Sequence, residues 1–206
     1  MSKRPAAIYL ALGFLSWPVL RFLYRLRVIG LEHVPKSGGF VLAANHTSNL
    51  DPWPLGLPLW PRRQLRFMAK SELFNPLLKP ILYGGGAFPV RRGAGDLEAI
   101  KRAVELVREG EIVVMFPEGT RRQKGLRKKF QPRPHTGAAR IALMADAPLV
   151  PAAIKGTDRV TRLGPLRVAY GLALDLGDLA GLEVKAAAQE ATDRLMSAIG
   201  ELEATL

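Results

Sequence analysis

The apolar positions of this chain fall into short continuous runs separated by stretches of helical periodicity. Phe40-Val41-Leu42-Ala43-Ala44 follows Gly38-Gly39 and gives way to polar residues, the pattern of a strand covered on both faces. Leu65 to Ala69 predicts a second strand, and Ala87 to Val90, behind Gly84-Gly85-Gly86, a third. Ile112-Val113-Val114-Met115-Phe116, opened by Glu111 and closed by Pro117, is the clearest β-run, and Leu149 to Ile154 and Arg167 to Leu172 add two more. Between them, Asp96 reads as the N-cap of a helix that places Leu97, Ile100, Val104 and Val107 on one face and stops at Gly110. Further helices are expected from Gly137 to Met144 and from Val184 to Glu203. Strands alternating with helices predict an α/β domain.

The N-terminus has a different pattern. Lys3-Arg4 is followed by the uncharged run Ala6 to Leu20, fifteen residues, and then by Arg21, Arg25 and Arg27. A spanning helix needs about 20 apolar residues, so this run crosses a bilayer only if Arg21 and its neighbours snorkel. A helix lying in the interface fits better, with Tyr9, Trp17 and Tyr24 at headgroup level and the arginines facing anionic lipid. A helix packed on the protein's own core is the competing reading, since shorter apolar runs often serve that purpose. Pro18 should kink or split it. The run leads into Arg-Phe-Leu-Tyr-Arg rather than a small-residue cleavage site, which argues against a signal peptide. We divide the chain into an N-terminal membrane-associating segment, 1–27, and one domain, 28–206.

Composition narrows the chemistry. The 206 residues suit one domain with a real core, and 30 Lys and Arg against 18 Asp and Glu leave a charge of +12 that attracts polyanions. Nucleic acid, an anionic bilayer and an acidic carrier all satisfy that charge. Cysteine is absent, which excludes disulfides, thiolate nucleophiles and Cys-ligated metals, and His33, His46 and His135 are too far apart in sequence to suggest a local metal site.

The polar segments that follow two of the predicted strands carry the candidate chemistry, because ligands of open α/β sheets bind beyond the carboxyl ends of strands. After the first, Asn45-His46-Thr47-Ser48-Asn49-Leu50-Asp51-Pro52 holds a base and a carboxylate five positions apart. On a straight helix five residues would turn the two side chains about 140° apart. A turn could pair them, because Ser48 and Asn49 are turn formers and Pro52 biases Asp51 away from the α region. Asp51 would then fix the imidazole tautomer and leave the other nitrogen to take a proton from an alcohol. With no Cys and no Ser in a nucleophile elbow, direct attack by a substrate hydroxyl is preferred to an acyl-enzyme. Asn45-His46-Thr47 also matches a glycosylation pattern, which we treat as accidental.

Phe116-Pro117-Glu118-Gly119-Thr120-Arg121 has the make-up of an anion site: Gly119 permits close backbone approach, Thr120 offers a hydroxyl and Arg121 a bidentate guanidinium. Seven Lys or Arg and no acid lie from Arg121 to Arg133, a run that could equally be a solvated basic loop. Gly86-Ala87-Phe88-Pro89-Val90-Arg91-Arg92 could add Arg91 to the same phosphate.

In order along the chain, Asn-His-x4-Asp, Gly-x-Phe-Pro-Val-Arg, Phe-Pro-Glu-Gly-Thr-Arg and Val150-Pro151-Ala152-Ala153-Ile154 resemble the lysophosphatidic acid (1-acylglycerol-3-phosphate) acyltransferase family. Lys70-Ser71-Glu72-Leu73-Phe74 and Thr136-Gly137-Ala138-Ala139-Arg140 are similar to it too, and the likeness covers roughly residues 28–160. The resemblance implies one glycerolipid-acyltransferase-like α/β domain with a central, mostly parallel sheet flanked by helices. It implies that His46 is the general base and Asp51 its orienting partner. Glu118, Gly119, Thr120 and Arg121 would shape the acceptor site, Arg121, Arg91 and Lys70 would face the acceptor phosphate, and Pro151 would be structural or line the donor side. The implied reaction moves a fatty acyl group from acyl-CoA or acyl-acyl carrier protein to the free hydroxyl of a lysophosphatidate, at the cytoplasmic face of the cell membrane, with no metal or bound cofactor.

One departure bears on acceptor or donor choice. Many family members have Phe-Lys almost directly before the helix glycine, whereas here Phe130 leads through Gln131-Pro132-Arg133-Pro134-His135-Thr136 to Gly137. His135 reads as a loop residue. Acceptors with larger headgroups and glycerol 3-phosphate stay open, as does a basic nucleic-acid-binding protein. The chain shows no recognisable nucleic-acid motif, however, and such a protein has no use for the apolar N-terminus, so no nucleic-acid partner is expected.

Overall fold

The computed structural model describes residues 5–90, 96–119 and 134–206. Seven strands form one sheet: β1 (Arg27–Ile29), β2 (Phe40–Ala44), β3 (Leu65–Lys70), β4 (Ala87–Val90), β5 (Ile112–Met115), β6 (Leu149–Lys155) and β7 (Arg167–Tyr170). Their order is β1-β7-β6-β2-β5-β3-β4, parallel throughout except between β6 and β7. The helices are α1 (Ala7–Pro18), α2 (Pro52–Gly56), α3 (Lys79–Gly85), α4 (Asp96–Arg108), α5 (Gly137–Ala145) and α6 (Val184–Ala204).

β2 shows why its run is apolar without alternation. Val41 and Ala43 face a core built with α4, α5 and α6, while Phe40, Leu42 and Ala44 face a second core with Leu55, Leu59 and Tyr170. Fully burying residues such as Phe40 and Leu42 contributes about 1.5–3 kcal/mol each. On α4, Ile100, Val104 and Val107 are buried as the periodicity predicts, but Leu97 in the first turn is exposed, beyond the edge of that core. Asp96 stands at the first position of the helix, not before it.

The topology aligns the carboxyl ends of β6, β2, β5, β3 and β4 along one edge of the sheet, in that order. The residues beyond those ends therefore share an edge: Thr157 after β6, His46 after β2, Glu118 and Gly119 after β5, with Lys70 closing β3.

The N-terminal segment packs on this domain along one side. Tyr9 donates its hydroxyl to the Arg63 carbonyl at 2.9 Å, and Gly13 lies so close to Trp60 that a Cβ there would meet the indole at 2.2 Å. Pro18 ends the α-helix, and a π-helical turn follows over Val19–Leu23, placing Leu20 beside Tyr24, Leu57 and Leu166 in a small core of its own. The other side is apolar and open, with Phe14 and Phe22 each 69% exposed. No helix among the described residues is long and apolar enough to cross a membrane.

Candidate active site

His46 and Asp51 are brought together by the turn after β2. The Nδ1 atom of His46 lies 2.7 Å from Oδ2 of Asp51, whose side chain is fully buried while that of His46 keeps 17% of its surface open. The same Oδ2 accepts the backbone N–H groups of Thr47 at 2.7 Å and Ser48 at 2.9 Å, so the loop wraps its own amides around the carboxylate. One expectation needs correcting: Asp51 sits in the α region (φ −53°, ψ −40°) in spite of Pro52. The return is made one turn earlier, where the Asp51 N–H donates to the Ser48 carbonyl at 3.1 Å, and the hydrogen bonds to the carboxylate offset the crowding before proline.

The second oxygen, Oδ1, accepts from the hydroxyl of Thr157, and the Thr47 hydroxyl oxygen lies 3.3 Å from it. Burial pushes Asp51 up, but the donors from His46, Ser48, Thr157 and Thr47 outweigh it and hold the carboxyl below its ordinary range. The carboxylate is therefore the acceptor and Nδ1 carries the hydrogen. That tautomer leaves Nε2 of His46 as the free base.

Phe116, the residue after β5, stacks under the imidazole with ring centroids 4.2 Å apart and planes 17° from parallel. Asn45 secures the loop from behind. Its amide donates to the Ile154 carbonyl at 2.9 Å and to Glu203 at 2.8 Å, and its oxygen accepts the Ile154 N–H at 2.8 Å. The side chain thus continues the β2–β6 ladder where the backbone turns away, and fixes both to the end of α6. At 1% exposure, with every polar atom engaged, Asn45 has no amide to offer a glycan.

Gly119 has φ +67°, and a Cβ there would meet the His135 ring at 2.3 Å; the backbone N–H of His135 donates to the Pro117 carbonyl at 2.7 Å. The turn after β5 is therefore braced by the segment that leads into α5. Glu118 is partly buried beside it. Lys70 is exposed at the end of β3, two strands from β2, which is roughly 10 Å at ordinary strand spacing. Arg91, Thr120 and Arg121, together with the basic run to Arg133, lie outside the described residues. Pro151 is buried inside β6 opposite Ala43, a structural position.

Sequence reasoning missed Thr157, the clamp made by Asn45 and the ring of Phe116 beneath the base. The strand-end rule that found His46 would have pointed to Thr157, which stands two residues beyond β6.

The chain is similar in sequence and in fold to known proteins. An acyltransferase family model matches residues 25–155. The 1-acyl-sn-glycerol-3-phosphate acyltransferase of Bacillus subtilis (strain 168) is 37% identical over 182 residues, 86% of this chain and 88% of that protein. A chloroplastic 1-acyl-sn-glycerol-3-phosphate acyltransferase of Brassica napus is 32% identical over 145 residues, 68% of this chain but 40% of its own length. Among solved structures, the 1-acyl-sn-glycerophosphate acyltransferase of Thermotoga maritima superposes with a TM-score of 0.66 over 92% of this chain and 76% of that one. At 24% identity, that likeness speaks to the fold.

Proposed function

Because the chain belongs to the acyltransferase family and is an acyltransferase, we propose that it moves a fatty acyl group to the free hydroxyl of 1-acyl-sn-glycerol 3-phosphate, forming phosphatidate for phospholipid biosynthesis. The observation that carries this reading is the His46–Asp51 pair, buried on the carboxylate side and open on the base side, at the carboxyl edge of the sheet. Nε2 of His46 takes the proton of the acceptor hydroxyl as its oxygen attacks the thioester carbonyl. Asp51 stabilises the imidazolium that forms. The tetrahedral adduct collapses with cleavage of the carbon–sulfur bond, and the imidazolium returns the proton to the departing thiolate.

The donor in this reading is acyl-CoA or acyl-acyl carrier protein, with no metal or bound cofactor. Glu118, Gly119, Thr120 and Arg121 shape the acceptor side, and Lys70, Arg91 and Arg121 face its phosphate. A panel of acceptors with each donor tests the assignment. Lysophosphatidate should have the highest kcat/KM, and preference for glycerol 3-phosphate or for a lysolipid with a larger headgroup would reassign the acceptor.

We place the enzyme on the cytoplasmic face of the cell membrane as a peripheral or monotopic protein. Support comes from the open apolar side of α1 and the π-helical turn, from Leu77 and Ile81 near α3 at 80% and 52% exposure, and from the charge of +12. Deleting residues 1–27 would remove buried Leu20 and Tyr24 and so confound binding with folding. Replacing Phe14, Phe22 and Leu77 with serine avoids this. The triple variant should sediment less with anionic vesicles at unchanged thermal stability, and undiminished sedimentation would count against the membrane reading.

A further inference from the structure

We infer that Thr157 is a positioning residue for the reaction: its hydroxyl fixes the oxygen of Asp51 that His46 does not use, and thereby aims the imidazole. The inference rests on the base role given to His46 above.

The two oxygens of Asp51 are held differently. Oδ2 is held entirely by its own loop, through His46, Thr47 and Ser48. Oδ1 receives no backbone donor among the described residues; its donor is the hydroxyl of Thr157, and the oxygen of the Thr47 hydroxyl lies 3.3 Å away. Thr157 arrives from 106 positions along the chain and is 3% exposed. Its hydrogen is committed to the carboxylate, so in the 2.7 Å contact between the two hydroxyls Thr47 is the donor. The result is a directed chain from Thr47 to Thr157 to Asp51, in which each hydrogen bond polarises the next.

A carboxylate gripped through one oxygen can still rock about its Cβ–Cγ bond. The Thr157 hydroxyl opposes that motion and keeps Oδ2 in line with Nδ1. It also satisfies an acceptor shut away from water, which would otherwise favour a protonated Asp51 that no longer orders the imidazole. Thr157 lies two residues past the family-matched segment, in a 3-10 turn over Thr157–Arg162. That turn has anchors of its own: Arg159 N–H donates to the Gly156 carbonyl at 3.0 Å, and the Tyr24 hydroxyl donates to the Val160 carbonyl at 3.1 Å. Removing the hydroxyl of Thr157 leaves those anchors in place.

The test compares wild type, Thr157→Val and Thr157→Ser as full chains on vesicles. Valine keeps the volume and removes the donor; serine keeps the donor. Loss of one hydrogen bond to a charged group corresponds to roughly a tenfold to hundredfold fall in kcat for Thr157→Val. The KM for the acceptor should stay within about a factor of two, since nothing that binds substrate has changed. Thr157→Ser should restore kcat. An unchanged kcat in Thr157→Val would overturn the inference, as would a serine variant as impaired as valine or a loss confined to KM. A second readout does not depend on transfer. The His46 Nδ1–H proton resonance should sit far downfield in wild type and Thr157→Ser and move upfield in Thr157→Val, and an unmoved resonance would also overturn the inference. Failure of wild type to transfer with any donor or acceptor would instead defeat the proposed function, leaving the resonance to decide the role of Thr157.

Discussion

Replacing His46 with alanine should lower acyl transfer by about a thousandfold, within the range that a positioned general base contributes. The size follows from how little else near the base could take its place. The other imidazole in the motif-bearing loops, His135, has its ring packed against Gly119, while its backbone N–H donates to the Pro117 carbonyl. The fold should survive. Asp51 keeps the amides of Thr47 and Ser48 and the hydroxyl of Thr157, and Phe116 loses only the ring stacked above it. The stability cost is therefore about 1–2 kcal/mol, the ordinary range for a single substitution. Circular dichroism and a denaturant titration establish folding, and radiolabelled product formation establishes activity. Near-normal transfer by the folded variant would remove His46 from the mechanism.

The second large effect is on stability, at Asn45. Asn45→Ala removes three hydrogen bonds from a site 1% exposed and leaves the Ile154 N–H and carbonyl without the side chain that satisfied them. The expected loss is about 3 kcal/mol, or roughly 6 to 12 °C in Tm for a chain of this length. Asn45→Asp should be worse than alanine although it is nearly isosteric. It replaces the donating amide with an oxygen facing the Ile154 carbonyl and the Glu203 carboxylate, which puts like charges together in a buried place. Thermal melts of the three proteins give the order. An Asp variant as stable as wild type would mean that the amide does not join β2, β6 and α6 as described.

The elements that were legible in the sequence are those buried on both sides. β2 and β5 read as unbroken apolar runs because helices cover one face and α2 with its neighbours the other, and α6 is long enough for its periodicity to declare itself. β1 escaped notice because Arg27, Val28 and Ile29 are three edge residues whose only strand partner among the described residues is β7, and their pattern carries no more signal than a loop. The pairing of His46 with Asp51 was legible because both partners lie in one short loop. Their supports were not. Thr157 and the Asn45 contacts are separated from the loop by more than 100 residues, and no local pattern in the chain encodes a distance closed by the sheet. The conformation of Asp51 was misjudged for a related reason: the residue before proline avoids the α region on average, but here it is held there by hydrogen bonds to its own loop. The N-terminal segment packs on the domain through Tyr9, Gly13 and Leu20, as the core-packing reading has it, and its other side is apolar and exposed.

Direct attack by the acceptor hydroxyl, with His46 as base, is tested most directly by thiol release from acyl-CoA and acyl-acyl carrier protein on vesicles, with and without lysophosphatidate. The account predicts release only when the acceptor is present, no early burst of thiol and no acyl group on the protein by mass spectrometry. A stoichiometric burst without acceptor, accompanied by acylated protein, would contradict it and require a nucleophile on the chain itself.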